Sequence, residues 1–302
     1  MTESESLMIE GLPKPPPVAG VKTTNIWLIE WLSPAERRTG RELHEWMETK
    51  RSGWSIYNSC DSKAEVLEYI NRAAAIAERG LFVPLLHIEA HGGGAGIAPS
   101  ASRDAEFLSW EELTDPLQQL NLGTKCNLIA VVAACIGFAG IKALRQGPRA
   151  PAVALVGLDS TVSPTDLLMG TKELYRRCMD DSPRLTEVVE SASRETGTAA
   201  FQLEPLATLA YEALVETLVK MRRPSVRHER INEFRQRMAL GTDLSPEEIE
   251  YRLASIPILP PWNEIQQTWD TMFMIDLEPR NAERFGIDWK TIVDKIGSHP
   301  FD

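Results

Sequence analysis

Through its first two thirds the chain alternates densely apolar runs with longer stretches in which apolar positions recur every three or four residues. The runs at 24–32 (Ile26, Trp27, Leu28, Ile29), 53–58 (Trp54, Ile56, Tyr57), 81–91, 127–134 and 152–158 have the length and β-branched or aromatic content of strands. Between them the helical period dominates. Ser33-Pro34 reads as an N-cap with proline at the first position of a helix reaching about Lys50. Ser62 caps a second helix with Val66, Leu67, Ile70, Ala74 and Ile76 on one face, stopped by Gly80. Further helices are expected over 110–120, 138–145 and 165–179. Runs that are apolar on both faces belong inside a covered sheet, and strands alternating with helices give right-handed crossovers. The expected fold is therefore a three-layer α/β/α domain with a mostly parallel central sheet.

The rhythm changes after Glu204. Two long helical runs, 206–221 and 226–240, are followed by a proline- and tryptophan-bearing tail from Pro257 to Asp302, with no run of comparable strand strength. At the other end, the acidic start and Pro13, Pro15, Pro16 and Pro17 favour an extended, solvated arm. The organisation read from the sequence is an arm over 1–20, an α/β domain over 21–204 and a helical extension over 205–302, without internal repeats.

Composition narrows the function classes. The 302 residues carry 32 Lys and Arg against 43 Asp and Glu, a formal net charge of -11, the wrong sign for unspecific clamping of a phosphate backbone, so nucleic acid is not an expected partner. No apolar stretch approaches the roughly 20 residues of a membrane-spanning helix, and the acidic start lacks the features of a secretion signal. A cytoplasmic protein is expected, without membrane partners. The four cysteines, Cys60, Cys126, Cys135 and Cys178, show neither a disulfide framework nor zinc-knuckle spacing, which leaves room for a chemical role for one of them.

In an open parallel sheet, ligands bind outside the carboxyl ends of the strands. Two such ends carry reactive side chains: His91, followed by Gly92, Gly93 and Gly94, and Cys135, followed by Ile136 and Gly137. A thiol beside an imidazole, at the start of a helix, is activated as a nucleophile. Gly92 admits close approach of a backbone N–H to a substrate carbonyl, so the N–H groups of Gly92 and Cys135 are the candidate oxyanion donors.

The His91-Gly92 pair after one apolar strand and Ala133-Ala134-Cys135-Ile136-Gly137 after the next resemble the caspase-like, clan CD cysteine peptidases, caspase and CHAT-type members among them. The resemblance spans the strand and helix order from Thr24 to Met179. It implies a caspase-like fold and a cysteine endopeptidase with Cys135 as nucleophile and His91 as general base, needing no cofactor. Ala133 stands where caspases have Gln and metacaspases have Asp, so caspase preference for Asp does not carry over. The strand ending Leu158-Asp159-Ser160 is similar to the one lining the substrate pocket in CHAT-type members, which makes Asp159 and Ser160 candidate pocket residues and a Lys or Arg substrate their partner. Bacterial relatives of this kind often act in antiviral defence or regulated cell death on an effector such as a gasdermin-like pore former, commonly after a partner or ligand activates them.

Other readings compete. His87, Glu89 and His91 alternate onto one strand face, a geometry that could hold a divalent metal, but no third or fourth ligand is obvious, and His87 or Glu89 is read in preference as a hydrogen-bonding support for His91. The His91 to Gly94 run matches an esterase oxyanion motif, but the chain lacks the Gly-x-Ser-x-Gly elbow such enzymes need, and it lacks a phosphate-loop Lys-Ser/Thr. A non-catalytic caspase-fold interaction module is the alternative from a different class. Cys60 follows an earlier strand without a histidine partner, while Cys126 and Cys178 read as packing residues. The basic cluster Arg222, Arg223, Arg227, His228 and Arg230 is a solvated face or a dock for an acidic partner.

Overall fold

A computed structural model of the chain describes residues 11–15, 24–80, 84–135, 147–179, 184–196, 201–241, 245–254 and 258–299. The expected helix over 138–145 and most of the N-terminal arm lie outside these residues. The chain divides into two compact units, one comprising Pro16–Ala207 with Thr271–Phe285, the other Met1–Pro15, Thr208–Asp270 and Gly286–Asp302.

The first unit is the α/β domain. In chain order it contains β1 (Asn25–Trp31), α1 (Thr39–Lys50), β2 (Ser55–Ser59), α2 (Lys63–Glu78), β3 (Pro84–Gly93), β4 (Gly96–Ala98), β5 (Leu108–Ser109), α3 (Trp110–Gly123), β6 (Ile129–Ala133), β7 (Ala154–Leu158), α4 (Pro164–Cys178), α5 (Leu185–Thr196) and β8 (Phe201–Pro205). The sheet runs β2-β1-β3-β6-β7-β8; the first four pairings are parallel and β7–β8 is antiparallel. The tip of β3 turns back through β4 onto β5 as a small antiparallel flap. The strand order reverses between β1 and β3, which places a crevice at their carboxyl ends.

Both faces of the sheet are buried, as the apolar runs required. On one face Ile26, Leu28, Leu85, Ile129, Val131, Ala154 and Val156 pack beneath Leu43 and Met47 of α1, Leu168, Leu174 and Tyr175 of α4, and Val188 and Ala192 of α5. The strand residues pointing the other way, among them Trp27, Ile29, Trp31, Leu86, Ile88 and Val132, are equally buried. Helices α2 and α3 pack together, α2 also against β1. Ser62 caps α2 by accepting from the Glu65 N–H, and Gly80 follows that helix at φ +70.

Three features depart from the sequence expectations. First, α1 begins at Thr39, not after Ser33; residues 33–38 form a turn in which the Glu36 N–H donates to the Ser33 carbonyl and the Ser33 N–H to the Pro99 carbonyl. The helix start is set instead by the buried Glu30 carboxylate, whose Oε1 accepts from the N–H groups of Gly40 (2.8 Å) and Arg41 (3.3 Å). Unpaired N–H groups and the positive end of the helix dipole meet a carboxylate there. Second, α5 and the edge strand β8 were not anticipated; Phe201-Gln-Leu-Glu-Pro carries little strand signal and is held by pairing with β7.

Third, the α/β unit takes in Thr271–Phe285, a segment that lies in the sequence's C-terminal tail. Arg149 joins this returning segment by a bidentate pair with Asp276 (3.0 and 2.8 Å) that holds the aspartate below its ordinary pKa, and Arg284 donates to the Cys126 carbonyl and to Asn127.

The other unit takes in most of α6 (Leu206–Met221), α7 (Pro224–Gly241), α8 (Pro246–Ala254), most of α9 (Trp262–Met272) and α11 (Trp289–Ser298); α10 (Ala282–Phe285) lies in the returning segment. Its centre is aromatic, with Trp269 and Trp289 rings 5.4 Å apart and Tyr211 5.9 Å from Trp289. Of the basic cluster, Arg222 is a C-terminal cap, donating to the carbonyls of Ile296 (2.6 Å) and Gly297. Among the described residues no helix is long and apolar enough to cross a membrane.

Leu28 and Met47 are fully buried in the α1-facing core. Leu28→Ala is expected to lower unfolding free energy by about 2–5 kcal/mol, and a urea midpoint unchanged from the parent protein contradicts this packing.

Candidate active site

The sheet face under α1 and α4 is layered by strand register. Leu28 of β1, His87 of β3, Val131 of β6 and Val156 of β7 form one layer; Glu30, Glu89 and Ala133 form the next. The paired register ends at Glu89 and Ala133; two residues further on, His91 lies near the end of β3 and Cys135 in the turn that follows β6. The Cys135 carbonyl oxygen lies against Gly92, the next residue after His91 on β3. Polarity thus rises in steps from an aliphatic middle to a reactive rim.

His91 and Cys135 line one cavity of about 250 Å³. Its walls are mostly aliphatic: Leu32 from the end of β1, Ala90, Ala133 and Ala134 from the central strands, and Val162, Pro164 and Leu167 from the β7–α4 connection and the start of α4. Polar groups enter at three points. Glu36 and Arg37 come from the turn before α1, Glu89 and Thr39 lie at depth, and the dyad stands at the rim.

Glu36 was not among the residues anticipated from sequence, because Ser33-Pro34 promised a helix there. The turn instead brings its Oε2 to 2.5 Å from His91 Nε2. The only trace of this role in the sequence is an acid a few residues beyond the carboxyl end of a strand next to the crevice. Support for His91 was expected from His87 and Glu89, and neither provides it. His87 is fully buried, with Nδ1 2.7 Å from the Tyr175 hydroxyl and Nε2 3.4 Å from Glu89. Burial pushes its pKa down to about 3. Glu89 accepts from the Thr39 hydroxyl, and burial, reinforced by the negative charges of Glu30 and Glu42, holds its carboxyl well above the ordinary carboxylate range. A neutral imidazole beside a protonated acid satisfies this pair without charge separation in a desolvated site.

Glu30 accepts from the Tyr57 hydroxyl at 2.5 Å as well as from the start of α1, and Arg38 stands 3.5 Å away. The Tyr57 hydroxyl is pushed up to about 12, first by burial and then by its bond to Glu30. Gly40 is required where these acids converge, since a Cβ there would lie 2.9 Å from Glu30 Oε1 and 3.0 Å from Glu89 Oε2.

Gly92 is also obligatory: a Cβ would come within 2.2 Å of the Cys135 carbonyl oxygen and 2.8 Å of the Ala134 Cβ. The bare backbone of β3 is thus used first to let the nucleophile strand approach. The start of the helix expected after Cys135 falls outside the described residues.

Asp159 and Ser160 do not line the cavity. The Asp159 carboxylate accepts from Ser160 (2.9 Å) and from Gln202 (3.0 Å), an exposed turn arrangement, while Val162 and Pro164 are what the same segment contributes. The metal alternative also lacks geometry. His87 and His91 have nitrogens committed to Tyr175, Glu89 and Glu36, and among the described residues no group of three or more His, Cys, Asp or Glu is placed to hold a metal ion.

No protein-family model matches the chain, and no curated protein matches it either. The chemistry of the site must therefore be read from its own residues.

Two predictions follow from burial. Cys60 and Cys126 are buried and their thiols are pushed up to about 12 by desolvation, whereas Cys135 is half-buried in the cavity. At pH 8 a thiol of that acidity is about 10⁻⁴ ionised, so iodoacetamide should alkylate Cys135 in the native protein and spare the other two, as read by peptide mass mapping. Second, His87 takes up a proton near its ordinary 6.5 when unfolded and only near 3 when folded. Its contribution to stability is complete above pH 6.5 and is lost as pH falls toward 3. Urea titrations of the parent protein and His87→Gln should therefore differ in slope by about 1.4 kcal/mol per pH unit across that window, with the parent steeper.

Proposed function

We propose that the chain is a cysteine-type peptidase of the caspase-like kind, with Cys135 as nucleophile and His91 as general base. The observation that carries this reading is that His91 and Cys135 line one cavity at the carboxyl ends of the parallel strands β3 and β6. The fold, a mostly parallel sheet covered by helices on both faces, supports it.

In this mechanism the Cys135 thiol gives its proton to His91 Nδ1, and the sulfur attacks the substrate carbonyl carbon, forming a C–S bond. The oxyanion is stabilised by N–H donors, for which Gly92 and Cys135 are the candidates. Collapse breaks the C–N bond, and the leaving amine takes the proton from His91. A water molecule then attacks the acyl-enzyme, His91 accepting its proton and returning it to sulfur as the carboxylic acid departs. Glu36, bonded to Nε2, acts through His91 by fixing the ring and leaving Nδ1 as the nitrogen that takes the thiol proton. It is a positioning residue. By resemblance, the substrate is a partner protein, a gasdermin-like effector being one candidate, and the activity is regulated by a partner or ligand in a defence setting.

The test is turnover of a fluorogenic peptide library. Cys135→Ala should abolish cleavage and acyl-enzyme formation, while a biological effect that survives this substitution favours the interaction module. Glu36→Gln should lower kcat by about 10²-fold with KM nearly unchanged, and Glu36→Asp should recover part of the loss. Equal losses in kcat and kcat/KM mark the interaction as one made in the transition state, whereas a rise in KM alone excludes the positioning role.

A further inference from the structure

Glu36 reaches His91 from a turn that packing does not fix. Leu32 and Thr39 are buried at its two ends, but residues 33–38 between them carry no buried side chain. Backbone bonds hold its first half, from the Glu36 N–H to the Ser33 carbonyl and from the Ser33 N–H to the Pro99 carbonyl. A half-buried carboxylate on such a turn keeps one partner only if the backbone beneath it is tied down, since ordering a long side chain costs rotamer entropy.

The next residue supplies the tie. Arg37 Nε and Nη2 donate to the two carboxylate oxygens of Glu42 on α1 at 2.7 and 2.8 Å, and Nη1 donates to the Thr165 hydroxyl in the first turn of α4 at 2.8 Å. One planar guanidinium thus joins the turn to two helices that both line the cavity. Three directed bonds of this kind belong to the arginine fork; a lysine ammonium carries the charge without the geometry. Glu42 is held below its ordinary pKa, first by its bond from Arg37, and Lys172 of α4 adds to the pull. Arg38 faces the other way, donating to Ser59 of β2 (3.3 Å) and lying 3.5 Å from Glu30 of β1. An exposed ion pair adds little to global stability. Its use here is orientation, because a displacement of about 1 Å at a catalytic group costs up to about 10²-fold in rate.

We infer that Arg37 is a positioning residue: by clasping α1 and α4 at once, it holds the preceding Glu36 against His91 Nε2. This rests on the peptidase reading for the turnover it affects, though not for the reactivity of the Cys135 thiol, which Glu36 favours by stabilising positive charge on His91. Arg37 touches no reacting atom in this role. Loss of the clasp frees the turn, so that Glu36 exchanges His91 for water while the fold stays intact.

Two measurements separate the clasp from the chemistry. In the first, the rate of Cys135 alkylation by iodoacetamide at neutral pH is followed by peptide mass mapping without substrate. Arg37→Ala and Glu36→Gln should each slow it at least about threefold, and the double variant should be no slower than Glu36→Gln alone, because one residue acts through the other. Arg37→Lys should be nearly as slow as Arg37→Ala. Millimolar methylguanidinium should restore the Arg37→Ala rate where sodium chloride of equal ionic strength does not. Arg41→Ala, which removes the same charge from α1 at a solvent-exposed pair with Glu45, should leave the rate unchanged. In the second, turnover of a fluorogenic peptide by Arg37→Ala should show kcat lowered about tenfold with KM nearly unchanged. Additive losses, full reactivity in Arg37→Lys, or a rise in KM alone, which makes Arg37 a substrate contact, overturns the clasp while leaving the peptidase standing. Non-additive, methylguanidinium-restored alkylation in a protein that cleaves no peptide removes the peptidase and retains the clasp.

Discussion

The in-register parallel pairing of β3 with β6 is the constraint on which the rest of this molecule depends. The register that sets Glu89 against Ala133 delivers His91, near the end of β3, and Cys135, just past the end of β6, to one rim, where both line one cavity. A slip of one residue would turn either the imidazole or the thiol to the opposite side of the sheet. Burial guards against that slip. Leu85, Ile129 and Val131 are packed on the α1-facing side and Leu86, Ile88 and Val132 on the other, so a shift exchanges well-fitted contacts for poor ones across the whole ladder. Gly92 completes the arrangement, because its bare α-carbon admits the Cys135 carbonyl at a distance no other residue tolerates.

A second constraint is electrostatic and acts from below. Burying Glu30, Glu89 and His87 in one region costs solvation, which the molecule offsets in different ways. Glu30 stays satisfied by the first N–H groups of α1, the Tyr57 hydroxyl and Arg38. Glu89 and His87 avoid charge altogether, one holding its proton and the other refusing one. Because Glu30 anchors the start of α1 at Gly40, the residues before it are freed from the helix and fold as the turn that presents Glu36 to His91 and Arg37 to the cavity. A buried acid in one layer thus shapes the rim one layer above without touching it.

Much of the architecture was legible in the linear pattern. The five apolar runs each produced a strand, and the Ser62 cap and Gly80 stop delimit α2. What escaped had weak local signal or strong distant competition. Strand β8 is Phe-Gln-Leu-Glu-Pro, unremarkable alone and a strand only because β7 offers an open edge. The Ser33-Pro34 cap is a sound local signal that lost to Glu30, an acceptor on the preceding strand that meets the backbone N–H of Gly40 ten residues later. Thr271–Phe285 returns to the α/β unit through Arg149 and Arg284, pairings that no periodicity announces.

The reactive pair was visible in the sequence because strand ends, glycines and β-branched runs are local properties, and a parallel sheet collects strand ends on one rim whatever its details. That much the amino-acid order determines unaided. Which acid meets His91, which residues wall the cavity, and whether Asp159 or Glu89 lies within its reach depend on strand order, register and the point where α1 begins. Those are settled only when the layers pack, since each is a compromise between desolvation of charge and filling of space that no short stretch of chain can make alone.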